Sequence, residues 1–199
     1  MPAPITDISQ LDPNGTYSYA DYLKWRFDEA VELFRGKIQR MSPAPSMGHQ
    51  LISQNLELLL GLHLRGQPCR MFHAPFDVRL PKHPGDPDSR VTTVVQPDIF
   101  VVCDPSKFDR RGCNGAPDWI MEILSPGNTR RDLRDKYRLY EEHGVTEYWI
   151  ISPGDRNITV FTLQNGQYEV VGEWAEPGPV PSATLPEFVL DWTDVFEGV

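Results

Sequence analysis

Two apolar stretches decide the fold of this chain: they read QPDIFVV over residues 96–102 and WIMEILS over residues 119–125. Each has the length and composition of a buried β-strand, yet each carries one acid, Asp98 in the first and Glu122 in the second. An isolated carboxylate is costly to desolvate among Val, Ile, Phe, Met and Trp side chains. The two acids therefore predict a shared compensating cation, which indicates a metal-dependent site.

The two acids approach each other if their strands pair with both acids on one face. Side chains two apart on a strand share a face, so Asp98 lies with Phe100 and Glu122 lies with Ile120. Cross-strand neighbours have Cβ atoms about 4.5–5.5 Å apart, which lets both carboxylates reach one ion at metal–oxygen distances of about 2.0–2.1 Å. Two oxygen ligands with remaining positions for water favour Mg²⁺ or Mn²⁺ over zinc.

A lysine in the following helical segment supplies a third group. Lys136 stands three residues after Leu133 and four before Tyr140, which places it on the helix face that packs against the sheet. An ammonium there can position the attacking water or stabilise charge that develops on a phosphate in the transition state. For the lysine considered alone, a surface ion pair with Asp132 at i,i+4 spacing is the commoner arrangement.

Helices and strands alternate along the rest of the chain. Helices are predicted over residues 19–30, 47–64 and 130–143, and strands over residues 31–34, 37–41, 71–80, 93–102, 118–124, 145–152, 158–163, 168–174 and from 188, before a last helical turn. Turns at Arg35-Gly36 and Asn165-Gly166 predict two hairpins. The helix over 130–143 joins the strands over 118–124 and 145–152, so these two strands should lie parallel in one sheet.

Length and composition predict one domain over residues 1–199. The chain is 40% hydrophobic and 24% charged, as is typical of a globular domain with a substantial core. No apolar stretch approaches the roughly 18 residues needed to span a membrane, and residues 1–4 lack the basic and apolar regions of a signal peptide. We therefore expect a cytoplasmic protein.

The three cysteines favour neither a disulfide framework nor a zinc site. Cys69, Cys103 and Cys113 are odd in number and none stands in a Cys-x-x-Cys spacing. We expect them to be small buried or loop thiols.

The charge distribution bears on nucleic-acid binding. The formal net charge of −9 argues against a protein that coats nucleic acid nonspecifically, because phosphate binding needs a positive surface. Residues 107–138 nevertheless hold eight basic residues against five acids. This run either guides a phosphodiester or is a solvated surface with many ion pairs, and both interpretations stay open.

The acids and the lysine stand within short motifs that extend over nearly the whole chain. The motifs are Glu32 to Gly36, Met41 to Pro43, His49-Gln50, Pro97-Asp98, Glu122 to Pro126, Arg131-Asp132 with Lys136 and Tyr140, Gly144-Val145 and Glu147-Tyr148-Trp149. This set resembles the PD-(D/E)XK nuclease superfamily and, within it, the Uma-two family of restriction endonucleases.

The resemblance implies an α/β (α+β) restriction-endonuclease-like fold, a mixed β-sheet flanked by helices, with an added N-terminal hairpin and a C-terminal β-hairpin. It implies a metal-dependent endodeoxyribonuclease that cuts DNA, with Asp98 and Glu122 as ligands of Mg²⁺ or Mn²⁺. The superfamily's lysine would stand two residues after the glutamate, where this chain has Leu124. In this branch the lysine is expected on the following helix, and Lys136 would be that lysine.

Other residues and functions remain open at this stage. His49 resembles the family's histidine and is a candidate catalytic residue, although a histidine satisfied by a core hydrogen bond is an equal interpretation. Glu32 adds a further acid or is a solvated edge-strand residue. Glu57 is predicted on the outer face of its helix and excluded, and Asp77 is predicted to pair with an arginine at a strand surface.

Two alternative functions, and the oligomeric state, concern the whole protein. The fold can be a catalytically inactive module that binds nucleic acid or protein, which the Leu124 departure favours. The substrate of an active site can be RNA or a small phosphodiester, since the acids and the lysine do not distinguish them. A homodimer suits an enzyme that must cut two strands. Phe161, Tyr168 and Trp174 of the late hairpin either are exposed and form its interface or pack in the core, and both interpretations stay open.

Overall fold

The computed structural model describes residues 4–41, 45–125 and 130–199, with only the backbone described for residues 130–132. The helices are α1 Tyr19–Tyr22, α2 Met47–His63, α3 Arg130–His143 and α4 Trp192–Val195. The strands are β1 Val31–Phe34, β2 Lys37–Arg40, β3 Arg70–His73, β4 Val78–Arg79, β5 Val94–Val95, β6 Ile99–Val102, β7 Phe108–Asp109, β8 Gly112–Asn114, β9 Trp119–Ile123, β10 Glu147–Ser152, β11 Asn157–Gln164, β12 Gln167–Trp174, β13 Pro179–Pro181 and β14 Val189–Asp191.

Two six-stranded mixed sheets form the framework. Sheet A has the strand order β12-β11-β10-β9-β6-β3, and sheet B has the order β2-β1-β5-β4-β8-β7. Sheet A is antiparallel except for the β9–β10 pair, and sheet B is antiparallel except for the β4–β8 pair. The predicted mixed α/β class is confirmed, and so is the parallel arrangement of β9 and β10 on either side of α3.

Each face of sheet A packs against a different part of the molecule. Because side chains alternate along a strand, Ile99 and Met121 join a core with α2 residues such as Leu56. Their neighbours Phe100 and Ile120 join a second core, built with α3 and with strands of sheet B. Asp98 is two residues from Phe100, and Glu122 is two residues from Ile120, so both acids point to this second face, toward α3 and sheet B.

Two predicted strands are each divided between the sheets. Residues 93–102 form β5 in sheet B and β6 in sheet A, and residues 71–80 likewise contain β3 in sheet A and β4 in sheet B. Pro97 has no N–H for a ladder, and the N–H of Gln96 donates to a carboxylate of Glu32 at 2.8 Å. The chain therefore crosses from one sheet to the other immediately before Asp98.

The predicted first helix is much shorter than residues 19–30. Only Tyr19–Tyr22 is helical, because Trp25 forms a parallel bridge with Ile5 and the N–H of Arg26 donates to the carbonyl of Ile5. The other predicted helices, both hairpins and the terminal strand with its last helical turn are confirmed within a few residues.

The expectation of unpaired thiols is wrong for two of the three cysteines. Cys69 and Cys103 form a disulfide bond, and Cys113 is a free buried thiol. The reason lies in strand register: β3 pairs antiparallel with β6, with Arg70 opposite Val102, so the next pair outward is Cys69 and Cys103. Spacing along the sequence does not reveal this proximity.

Phe161, Tyr168 and Trp174 of the late hairpin pack against the core, which is the second of the two interpretations open for them. Tyr168 is buried, and Phe161 and Trp174 are half-buried against the two faces of sheet A. The exposed apolar side chains of β12 are Val170 and Val171. The homodimer therefore stays a prediction without the surface proposed for it, and the single-domain organisation likewise stays a prediction.

Candidate active site

Strand register brings the two acids together. β6 and β9 pair antiparallel with Ile99 opposite Met121, so Asp98 and Glu122 form the next opposed pair at the end of the ladder. The backbone N–H of Ile123 donates to Oδ2 of Asp98 at 2.8 Å, which fixes that carboxylate beside the end of β9. Both acids line one cavity of about 910 Å³.

The helix α3 delivers two donors to Glu122. Nζ of Lys136 lies 2.8 Å from Oε1 of Glu122, and the hydroxyl of Tyr140 donates to the same oxygen at 2.6 Å. Residues four apart on a helix lie one above the other, so both side chains reach the sheet from one turn of α3. Lys136 thus lies where the sequence predicted it, facing the sheet. The alternative partner, the side chain of Asp132, lies outside the described residues.

His49 contacts the other acid from the first turn of α2. Its backbone N–H donates to the hydroxyl of the N-cap Ser46 at 3.3 Å, so the helix begins close to the cavity. Its Nε2 lies 3.2 Å from Oδ1 of Asp98, while its buried Nδ1 has no hydrogen-bond partner within the described part of the chain. His49 is therefore a partner of Asp98, and its role as a catalytic residue stays a prediction.

Glu32 is a third acid of the site, and the sequence interpretation undervalued it. The residue is 6% exposed, because β1 lies between β2 and β5 and is not an edge strand. Its Oε1 accepts from the N–H of Gln96 and lies 4.0 Å from Nζ of Lys136. The signal that could have found it is the one used for the other two acids: a carboxylate inside the apolar run Val31–Phe34.

Two further carboxylates were placed wrongly. Glu57 is half-buried, lines the cavity and accepts from the hydroxyl of Ser53 at 2.9 Å, so it does not lie on an outer helix face. Among the described residues no arginine pairs with Asp77, which accepts from Gln96 Nε2 at 2.9 Å and from the hydroxyls of Tyr19 and Tyr22.

The neighbouring charges perturb Glu122 and Lys136. Burial raises the pKa of Glu122 to about 7, with the charge of Lys136 opposing this and the charges of Asp98 and Glu32 adding to it. Burial would lower the pKa of Lys136, but the charges of Glu122, Glu32 and Asp98 outweigh it and raise that pKa. The lysine therefore stays an ammonium, 2.8 Å from Glu122 and 4.0 Å from Glu32.

Acids outnumber basic residues in the described lining of the cavity. Its charged residues are Glu32, Glu57, Asp98, Glu122 and Asp135 against Arg40 and Lys136, with His49 and His73 also present. Among these described residues, five carboxyl groups stand against two permanent cations, and such an excess favours a cation as a ligand.

A comparison with known protein families matches most of the chain. The family profile described as "Uma2: Putative restriction endonuclease" matches residues 19–193, which include every residue of the site. The chain belongs to the Uma2 family. The fold and the family that the sequence motifs resembled are thus both confirmed.

Two other proteins are similar to this chain, one in sequence and one in structure. "Uncharacterized protein slr1290" from Synechocystis is 28% identical over 133 residues, and the match spans 66% of this chain and 65% of that protein, just under two thirds of its length. A crystal structure described as that of a putative nuclease belonging to DUF820 from Anabaena variabilis superposes with a TM-score of 0.70 at 24% identity, covering 90% of this chain and 97% of that one. The second likeness shows that the fold is shared.

The donor set of this Uma2 protein fits Mg²⁺ or Mn²⁺. Within the described residues no three His, Cys, Asp or Glu side chains form a ready-made metal cluster. A Mg²⁺ site needs only one or two carboxylates, with water and substrate oxygens as the other ligands. Asp98 and Glu122 supply that number, and the described partners of Glu122 all engage Oε1, which leaves Oε2 facing no described donor.

The basic run of this Uma2 protein is partly neutralised within the chain. Arg111 pairs with Asp88 at 2.6 Å, Lys107 lies 4.0 Å from Asp118, and Arg134 lies 3.8 Å from its neighbour Asp135. These contacts favour the interpretation of residues 107–138 as a surface with many ion pairs.

Among the described residues, no helix is both long and apolar enough to cross a bilayer.

Proposed function

We propose that this Uma2 protein is a Mg²⁺- or Mn²⁺-dependent endonuclease that hydrolyses DNA phosphodiester bonds, with Asp98 and Glu122 as the metal ligands. The observation that carries the proposal is the convergence of these two carboxyl groups, opposed in strand register, with the ammonium of Lys136 2.8 Å from one of them. The family description supports nuclease chemistry, and DNA is the substrate that the term restriction endonuclease implies.

The site divides the work between two sets of residues. Asp98 would hold the ion from a carboxylate fixed by the N–H of Ile123 and by His49 Nε2. Glu122 would hold it from the opposite strand, through the oxygen that Lys136 and Tyr140 do not engage. A divalent ion bound there lowers the pKa of a bound water and neutralises charge on the scissile phosphate.

Lys136 takes the place of the lysine that the superfamily carries on the strand. Leu124, which stands at that strand position, lines the same cavity. The ammonium of Lys136 enters from α3 and reaches Glu122 there, so the site has a cation beside the acids in spite of the leucine. In the proposed reaction this ammonium orients the attacking water or stabilises the negative charge that develops on the phosphate.

A cleavage assay tests the proposal. Supercoiled and linear DNA are incubated with the purified protein and Mn²⁺, alongside the variants Asp98→Asn, Glu122→Gln and Lys136→Ala. We expect cleavage by the wild type and a loss of more than about 100-fold in each variant, since even partners behind the ligands of metal sites contribute about 10–100-fold.

Lys107→Ala is the matched control, because Lys107 donates to the carbonyl of Ala116 and does not line this cavity. It should cleave as the wild type does. No metal-dependent cleavage by the wild type would reject the proposal and favour the catalytically inactive binding module. Equal cleavage by the wild type and all three site variants would also reject it, because the cleavage would then not depend on these residues. Cleavage of RNA but not DNA in the same assay would keep the site and change the substrate.

A further inference from the structure

We propose that Tyr140 is a positioning residue that orients the carboxylate of Glu122 for the cation. The inference rests on the proposed metal site and adds a function for a side chain that the reaction itself does not use. Its basis is a hydrogen bond of 2.6 Å from the Tyr140 hydroxyl to Oε1 of Glu122, a length typical of a hydroxyl bound to a carboxylate.

The two donors on Glu122 share one oxygen. A carboxylate oxygen has about two lone-pair sites, and the Lys136 ammonium and the Tyr140 hydroxyl occupy both sites of Oε1. The terminal torsion of a glutamate is broad and has no strong preference of its own. The pair of donors therefore sets the rotation of the carboxylate and presents Oε2 to the cation.

Tyr140 is buried in a way that commits its hydroxyl to this bond. The residue is 0% exposed, and its ring packs edge-on against Tyr148 at 5.2 Å between centroids. Water therefore offers the hydroxyl no substitute partner, and Glu122 is its acceptor. Lys136 alone cannot replace it, because the ammonium also faces Glu32 at 4.0 Å and has a second carboxylate to which it can turn.

The neighbouring Tyr148 provides a matched control. Tyr148 is also fully buried, and its hydroxyl has no hydrogen-bond partner within the described residues. Tyr140→Phe and Tyr148→Phe thus remove the same atom from the same aromatic cluster. Only the first removes a bond to Glu122, so the pair separates an effect on the carboxylate from an effect on packing.

Calorimetric titration with Mn²⁺ tests the inference on the wild type, Tyr140→Phe, Tyr148→Phe and Glu122→Gln, with a thermal melt of each metal-free protein. We expect the Kd for Mn²⁺ to rise by about 10-fold or more in Tyr140→Phe, as for other partners of metal-ligating carboxylates, and to stay within about twofold in Tyr148→Phe. The melt identifies a merely structural role, which lowers the melting temperature of Tyr140→Phe without changing its Kd.

The outcomes separate this inference from the proposed function. In one outcome the wild type binds Mn²⁺ with an affinity that Glu122→Gln abolishes and Tyr140→Phe leaves unchanged. That result overturns the positioning role alone. An equal loss of affinity in Tyr140→Phe and Tyr148→Phe also overturns it, since packing then explains the result. Absence of Mn²⁺ binding by the wild type overturns the metal site and the positioning role together.

Discussion

Sheet A contains two buried glutamates on neighbouring parallel strands, and their surroundings are opposite. Glu147 on β10 is 0% exposed, and both of its oxygens are engaged: Oε1 by Trp149 Nε1, and Oε2 by the hydroxyl of Ser182 and the N–H of Thr184. These donors are neutral groups that tie β10 to the segment before β14. Glu147 is therefore a structural anchor.

Glu122 on β9 is 7% exposed, and its hydrogen bonds within the described residues differ from those of Glu147. Its two described donors share one oxygen, two other acids lie near it, and a cavity opens beside it. Burial is common to both glutamates and does not distinguish them. Nearby like charge, and an oxygen that meets no donor among the described residues, distinguish Glu122 and favour a cationic ligand there.

The largest effect expected from this contrast is on metal binding. At a Mn²⁺ concentration of about 100 times the Kd, a ligand of the folded state stabilises it by about 2.7 kcal/mol, or about 5–10 °C in melting temperature for a chain of this size. We expect Glu122→Gln to abolish this rise and Glu147→Gln to retain it, as measured by thermal melts. A rise that survives in Glu122→Gln contradicts the assignment.

The second effect is on stability, and it should fall on the other glutamate. Glu147→Gln turns an amide N–H₂ toward donors that need an acceptor, which costs about 1–3 kcal/mol of unfolding free energy. Glu122→Gln removes a crowded negative charge, so its metal-free stability should match or exceed that of the wild type. Urea denaturation measures both, and a larger loss in Glu122→Gln would reverse the roles given to the two residues.

A third effect is the pH dependence of metal affinity. Burial raises the pKa of Glu122 to about 7, so this carboxyl group is mostly protonated at pH 6 and mostly ionised at pH 8. The ion binds the ionised carboxylate, whereas in the metal-free protein at pH 6 this carboxyl group mostly carries a proton. The Kd for Mn²⁺ should therefore rise about tenfold from pH 8 to pH 6. Titrations at both pH values check it. Glu147→Gln should show the same dependence, and a flat profile would contradict the prediction.

The smallest effect should come from Glu32. Glu32→Gln keeps an acceptor for the N–H of Gln96 but removes one of the charges that raise the pKa of Glu122. The midpoint of the pH dependence should therefore move to lower pH, by less than about one unit. Glu141→Gln is the control, because Glu141 accepts from the N–H of Tyr168 away from the cavity. A shift to higher pH would mean that Glu32 acts on Glu122 in some other way.

Much of the site could be predicted from sequence because its signals are local. An acid inside an apolar strand, and a lysine in phase with Leu133 and Tyr140 on a helix, are visible in a single sequence. The convergence of Asp98 with Glu122 then needs only the pairing of β6 and β9 in one register. These inferences depended on periodicity that extends over at least one full strand or helical turn.

The parts that could not be predicted depend on short or distant pairings. β4 and β5 have two residues each, too few for an alternating pattern, so the transfer of the chain between the sheets at Pro97 was hidden. The same two-residue β5 gives β1 its second neighbour, without which Glu32 looks like an edge residue. The Cys69–Cys103 bond follows from the pairing of β3 with β6, which no local spacing encodes.

That bond has a practical consequence for the site. It closes a covalent ring between positions separated by 34 residues, and Asp98 lies inside the ring while Glu32, His49, Glu122 and Lys136 lie outside it. Dithiothreitol opens the ring and removes a constraint on the unfolded chain, which lowers the free energy of unfolding by about 3–4 kcal/mol. Of the two proposed ligands, only Asp98 lies in the segment that the disulfide closes. A nuclease assay run with reductant and one run without it therefore use covalently different molecules, and each needs its own melting curve.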